Sequence, residues 1–172
     1  MANILPSMRT FFLLSALPGS GKSTWARQYQ DEHPETKIIS SDRIRVKFFG
    51  ERQNFSDEKR VWAEFLREIV NYGKEENATV IADATNLTND YRKYYFDSAK
   101  GYDRRVLVLF DTPFETCLKQ NRMRSQDCVV SDEAMIKLQN EWQEPSKEIE
   151  ELFDDILIIQ HGENGPIAHY KN

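Results

Sequence analysis

A three-layer α/β/α sandwich with a mainly parallel five-stranded sheet is the fold class this sequence predicts, and three observations lead there. Short apolar runs rich in Val, Ile, Leu or Phe alternate with longer amphipathic stretches. The first run leads straight into a glycine-rich loop ending Lys-Ser-Thr, and then into a helical pattern. No repeat, low-complexity tract or linker rich in Gly, Pro or Ser breaks this order, so one domain over residues 1–172 is expected. Alternating β and α elements imply parallel strands joined by right-handed crossovers.

Thr10–Ser15, Lys37–Ile39, Thr79–Ala82, Arg105–Phe110 and Asp155–Ile159 are the strand candidates. Each is short and apolar, as strands covered on both faces tend to be. Helices fill the gaps. Lys22–Gln30 follows the glycine-rich loop. Asp57–Tyr72 caps on Ser56, repeats Val61, Trp62, Phe65, Leu66, Ile69 and Val70 at helical spacing, and stops at Gly73. Thr88–Lys100 ends before Gly101. Thr112-Pro113-Phe114-Glu115 has the form of a capping box with proline first, so a helix is expected from there to Arg122. A last long helix covers Asp132 to Leu152, with Pro145 inside it to kink or split it.

Composition narrows the function classes. Hydrophobic residues make up 40% of the 172 and charged residues 30%, which suits a packed globular chain. No stretch approaches the roughly 20 apolar residues of a membrane span. The run Phe11 to Leu17 enters the glycine-rich loop directly, so it is read as a buried strand and not a signal core. Cys117 and Cys128 lack CxxC spacing and a histidine cluster, so no zinc site is expected. Both are read as reduced thiols in a cytoplasmic protein. The formal net charge of −5 offers no global basic footprint, though a local basic groove remains open.

Ala16-Leu17-Pro18-Gly19-Ser20-Gly21-Lys22-Ser23-Thr24 follows a strand and opens a helix. In that context glycines let backbone N–H groups turn inward around phosphate oxygens, and the helix N-terminus adds its positive end. Pro18 to Thr24 are therefore read as the donor-nucleotide loop, with Lys22 reaching the β- and γ-phosphates and Ser23 binding Mg²⁺. The bland alternative is a tight strand-to-helix turn.

Ligands of such sheets bind beyond the carboxyl ends of the strands. Four loops should share that edge: 16–21, 40–45, 83–86 and 111–113. Asp42 there can take a proton from an attacking hydroxyl, or simply cap a helix over Arg43–Phe49. Arg45, on the same helical face, can bind an acceptor phosphate by a bidentate contact or be a surface arginine. Asp83 can orient a metal-bound water or Ser23, and Thr85 and Asn86 can bond the acceptor; the same residues suit a cap and turn. Arg122 and Arg124, in a lid region near 117–140, can stabilise transition-state charge or merely complement a helix C-terminus.

These stretches together resemble a family. LPGSGKSTWAR, SSDRIR, VIADATNL and FDTPFETCLKQNRMR are similar to the kinase domain of phage-type polynucleotide 5′-hydroxyl kinases, within the wider P-loop kinases. The resemblance covers about residues 9 to 160, and VSDEAM with EWQEP looks like the helical region after the lid of that wider group. It implies ATP (or another NTP) and Mg²⁺ on Lys22 and Ser23, Asp42 as general base, Arg45 on the acceptor phosphate, and Arg124 on the donor phosphates. It also implies an acceptor site lined by Asp83, Thr85 and Asn86. Two positions depart from that pattern: Ser41 and Gln120 stand where the family often has arginine.

The leading expectation is an ATP-dependent kinase acting on the 5′-hydroxyl of RNA or DNA, with a nucleic-acid 5′ end as partner. A small-molecule hydroxyl kinase and a non-catalytic nucleotide-binding regulator are the alternatives.

Overall fold

The computed structural model describes residues 8–171. Strands β1 (Thr10–Ser15), β2 (Lys37–Ser40), β3 (Thr79–Asp83), β4 (Arg104–Asp111) and β5 (Asp155–Gly162) are parallel, and β6 (Gly165–Tyr170) returns antiparallel beside β5. The order is β2-β3-β1-β4-β5-β6. From central β1 the chain winds to one side through β2 and β3, then to the other through β4 and β5. The glycine-rich loop therefore leaves the sheet in its middle.

The central strand shows why the sheet is covered on both faces. Phe11 and Leu13 point into one core, Phe12 and Leu14 into the other, and all four are almost fully buried. Helix α1 (Lys22–Glu32) covers the second face with Trp25 and Ala26. The first face is covered by α2 (Ser41–Phe49), α3 (Glu58–Tyr72), α4 (Asn89–Ser98) and α7 (Lys147–Leu152). On α3, Val61, Phe65 and Ile69 lie four residues apart and are fully buried. Burial of each such side chain stabilises the fold by about 1.5–3 kcal/mol. Helices α5 (Phe114–Arg122) and α6 (Asp132–Glu141) flank the lid segment between them.

The structure corrects the sequence expectations in several places. Among the described residues the sheet has six strands, not five. Strand β6 is an exposed edge, so burial imposes no apolar pattern on Gly-Pro-Ile-Ala-His-Tyr. Its one local signal is Gly165, which stands at φ +118 just after the two-residue turn Glu163-Asn164. The stretch from Asp132 to Leu152 is split into α6 and α7, one of the two outcomes expected of Pro145, and the break begins before the proline, at Trp142. The intervening segment is extended and docks on the start of α4: Gln143 N–H donates to Leu87 O (2.9 Å) and Asn89 Nδ2 donates to Glu144 O (3.1 Å). Pro145 cannot donate to a helix there, and Ser146 starts α7 instead.

Capping also differs. Asp57, not Ser56, caps α3, its carboxylate accepting from Arg60 N–H. The capping box at Thr112 is not formed. Thr112 Oγ1 donates to Ser20 O at 3.1 Å, and this bond ties the β4 exit to the glycine-rich loop.

Candidate active site

The loop from Ala16 to Gly21 leaves β1 and enters α1 through two glycines at positive φ, Gly19 at +78 and Gly21 at +101. Gly19 is also pressed on α5. A Cβ there would meet Cys117 O at 2.3 Å and Asn121 N at 2.9 Å. Only glycine satisfies both the backbone conformation and the close approach. The loop is thus clamped between β1 and α5, with its backbone free to face a ligand.

A cleft of about 1420 Å³ opens over this loop at the carboxyl ends of the strands. Its walls include Pro18 to Thr24, Asp42, Arg45, Asp83, Thr85 and Arg124. Residues far apart in sequence, Pro18 and Arg124 among them, meet there because parallel strands deliver their exits to one edge.

Lys22 Nζ donates to Leu17 O at 2.9 Å, so its ammonium is folded over the loop. Burial pushes its pKa down, opposed by the charge of Asp83. Asp83 at the end of β3 is 7% exposed, and burial pushes its carboxyl up, opposed by Lys22 and by a hydrogen bond from Ser23. That bond, Ser23 Oγ to Asp83 Oδ2, is 2.8 Å.

Two observations fit a nucleotide with its divalent cation. A hydroxyl and a carboxylate oxygen are paired beside the loop, a hard-oxygen set of the kind Mg²⁺ takes together with phosphate oxygens. Within the loop itself, Ser20 Oγ is buried and has no hydrogen-bond partner among the described residues, a group an oxyanion satisfies. Lys22, Ser23 and Asp83 are the residues that would hold MgATP.

Asp42 lies in the first turn of α2 and its side chain is 40% exposed. The alternative that it caps the helix is corrected. The cap is Ser40, whose Oγ accepts from Arg43 N–H, so the Asp42 carboxylate remains directed to the cleft wall.

Arg45 is not a surface arginine: it is 7% exposed. Its Nε and Nη2 donate to the two carboxylate oxygens of Glu58 (2.9 and 2.8 Å), and Nη1 donates to Asp42 Oδ1 at 3.0 Å. The two-pronged edge expected to grip an acceptor phosphate is therefore taken by Glu58. In this arrangement Arg45 fixes the orientation of Asp42. Burial pulls the guanidinium pKa down, but the bonds and charge of Glu58 and Asp42 outweigh it, so the cation is held.

Thr85 lines the cleft, and its carbonyl accepts from Ala16 N–H at 2.9 Å. Asn86 does not reach the cleft. It is 5% exposed, at φ +45, and its Nδ2 donates to Leu14 O at 2.8 Å. Its carbonyl accepts from Ser15 Oγ, which itself accepts from buried Arg92 Nε. Asn86 is thus a brace for the β3 exit, which corrects the expectation of acceptor contact.

The lid arginines separate. Arg122 is paired with Asp132 at 2.6 Å on the exposed surface, which corrects its expected place on the donor phosphates. Arg124 lines the cleft, and its charge helps lower the Lys22 pKa. Among the described residues its guanidinium has no hydrogen bond or ion pair. The lid base is pinned by Asn121, whose Nδ2 donates to Val130 O (2.6 Å) and whose Oδ1 accepts from Val130 N–H (3.0 Å).

Several site residues escaped the sequence reading. Glu58, Asn121 and Arg92 act through partners distant in sequence and carry no local signature. His161, in the part of β5 beyond its expected end at Ile159, stands 3.9 Å from where a Gly21 Cβ would lie.

Fold and site together define a P-loop protein of kinase-like fold. A family model described as an AAA domain matches residues 12–146. That is well over half of the chain, so the protein belongs to this family. The 2′,3′-cyclic-nucleotide 3′-phosphodiesterase of Rattus norvegicus is 29% identical over 140 residues, covering 81% of this chain and 29% of that protein. The Mus musculus protein of the same name is 27% identical, covering 86% and 31%. The chain thus spans less than a third of the length of these curated relatives. Among solved structures, a chain of the Pnkp1/Rnl/Hen1 RNA repair complex superposes with TM-score 0.70 at 22% identity, over 97% of this chain and 50% of that one. A fungal RNA kinase superposes with TM-score 0.64 at 13% identity, over 92% and 77%. These likenesses show the same fold. Among the described residues no helix is long and apolar enough to cross a membrane.

Proposed function

We propose that this protein is an ATP-dependent kinase that transfers the γ-phosphate to the 5′-hydroxyl of a polynucleotide. The observation that carries the reading is Asp42: a carboxylate freed from capping by Ser40, held by Arg45, and facing the cleft that contains the phosphate loop. The names of the neighbours, an RNA repair complex and an RNA kinase, agree with a nucleic-acid end as acceptor.

In this reading the acceptor hydroxyl gives its proton to Asp42 as its oxygen attacks the γ-phosphorus, the bond from that phosphorus to the bridging oxygen breaks, and ADP leaves. Arg45, itself held by Glu58, keeps that carboxylate aimed. Lys22 and Arg124 stabilise the charge spread over the transferred phosphoryl group. Ser23 and Asp83 would hold Mg²⁺, which would supply positive charge against the donor phosphates. Thr85 offers its hydroxyl to the acceptor, and Asn86 keeps the β3 exit in register. A cytoplasmic setting suits this reading, since ATP is available there and Cys117 and Cys128 are free thiols.

The test is transfer of label from γ-labelled ATP and Mg²⁺ to a short strand with a 5′-hydroxyl, against the same strand already 5′-phosphorylated. Label only on the hydroxyl strand, lost with Asp42→Asn, is the expected result. No label with nucleotide binding intact overturns the polynucleotide acceptor and leaves a small hydroxylated molecule in its place.

A further inference from the structure

Phe55 stands apart from the other aromatic residues of the cleft. It lies in the loop between α2 and α3, it is 60% exposed, and it lines the cleft wall. Among the described residues no other ring packs on it. The Arg45 guanidinium lies over it, with Cζ 4.9 Å from the ring centroid. The same guanidinium lies 5.7 Å from the Trp62 ring and bonds Asp42 at 3.0 Å. One cation therefore separates an open aromatic face from the carboxylate proposed as base.

The loop that carries Phe55 is tied down. Gln53 Nε2 donates to Asp127 O (3.1 Å) and Val129 O (2.8 Å) of the lid segment, and Arg52 pairs with Asp127 at 3.4 Å. Behind the ring, Glu58 of α3 fixes Arg45 through two bonds. Exposure of one ring is ordinary by itself; what sets Phe55 apart is that it lines the cleft, on a loop already fixed, with a cation over its ring. A flat π-system that stacks on the open surface, while a cation holds the other, is the ligand this geometry suits.

We infer that Phe55 is the stacking platform for the nucleobase of the acceptor's 5′-terminal nucleotide. This rests on the polynucleotide reading and deepens it. It makes the acceptor a strand whose terminal base is recognised by its face and not by its edge, so the four bases are accepted with little preference. It also gives the loop at 50–57 a share in binding that Asp42 alone does not supply.

Two 5′-hydroxyl DNA strands, identical except that one lacks its 5′-terminal base, test it with wild type, Phe55→Leu and Phe55→Trp. In wild type the KM for the abasic strand is higher, on the order of tenfold. Phe55→Leu raises the KM for the complete strand to the abasic value, and Phe55→Trp restores the difference. Equal penalties from Phe55→Leu on both strands would make Phe55 a lid anchor and overturn the platform. A rise in the KM for ATP instead would assign the ring to the donor base and also overturn it. Transfer to both strands without discrimination refutes the platform alone, whereas no transfer to either strand by wild type refutes the polynucleotide reading beneath it.

Discussion

The hydroxyl of Ser23 and the carboxylate of Asp83, 60 residues apart in sequence, are joined by a 2.8 Å hydrogen bond at the mouth of the phosphate loop. It connects the first turn of α1 to the end of β3, and it does so beside an ammonium, Lys22, whose proton affinity burial has lowered. In the proposed reading both oxygens would bind a divalent cation.

The first prediction concerns that pair. Nucleotide at about 100 times its Kd adds about 2.7 kcal/mol to stability. In wild type, removing Mg²⁺ with a chelator should remove a large part of the stabilisation by ADP. In Asp83→Asn the melting temperature with ADP should be the same with and without Mg²⁺. A metal-dependent rise that survives in Asp83→Asn would place the cation elsewhere.

Gly19→Ala should be damaging although it adds one methyl group. The new Cβ falls 2.3 Å from Cys117 O, a backbone atom that cannot step aside, and the residue keeps φ +78. A loss of about 2–4 kcal/mol in urea unfolding is expected, together with loss of nucleotide binding. Wild-type stability in this variant would mean that the loop and α5 are free to separate.

Arg124 and Arg122 should differ sharply in kinetics. Arg124→Ala should lower kcat by about 10²–10³, the range for removing one charge-stabilising donor. Arg122→Ala breaks an exposed pair with Asp132 and should leave turnover near wild type. The reverse order would assign the lid charge to Arg122.

Glu64 supplies a pH prediction. It accepts hydrogen bonds from Arg67 (2.7 and 2.5 Å) and Lys47 (3.3 Å), and these hold its carboxyl at about 2, below the ordinary 4.5. The folded form binds fewer protons than the unfolded chain between these values. Its stabilisation is complete above pH 4.5 and is lost as pH falls toward 2. Urea midpoints measured across that window should fall more steeply for wild type than for Glu64→Gln. Parallel slopes would show that the Arg67 bonds are screened away in solution.

Much of the donor side was legible because its signals are local. A phosphate loop needs small residues at fixed offsets, a lysine and a hydroxyl, and all lie within nine consecutive positions, from Ala16 to Thr24. The five parallel strands were legible because strands buried on both faces must be short and apolar, as Phe11 to Leu14 show. Strand β6 was not, because an exposed edge imposes no such pattern on its residues.

The sequence by itself determined the order of elements, the phosphate loop and the position of Asp42 at a strand exit. The tertiary structure decided what each polar side chain does there. Asp42 was freed from capping by its neighbour Ser40, and Arg45 was bound by Glu58, thirteen residues away. Arg122 was drawn to Asp132 while Arg124 was left facing the cleft. Asn86 was turned inward to β1, and Phe55 was left open beside the cation. The physical reason is range. Backbone conformation and apolar periodicity act over a few residues and are written in spacing. A charged or amide side chain takes whichever partner the packed elements bring within about 3 Å, and that choice exists only once the chain has folded.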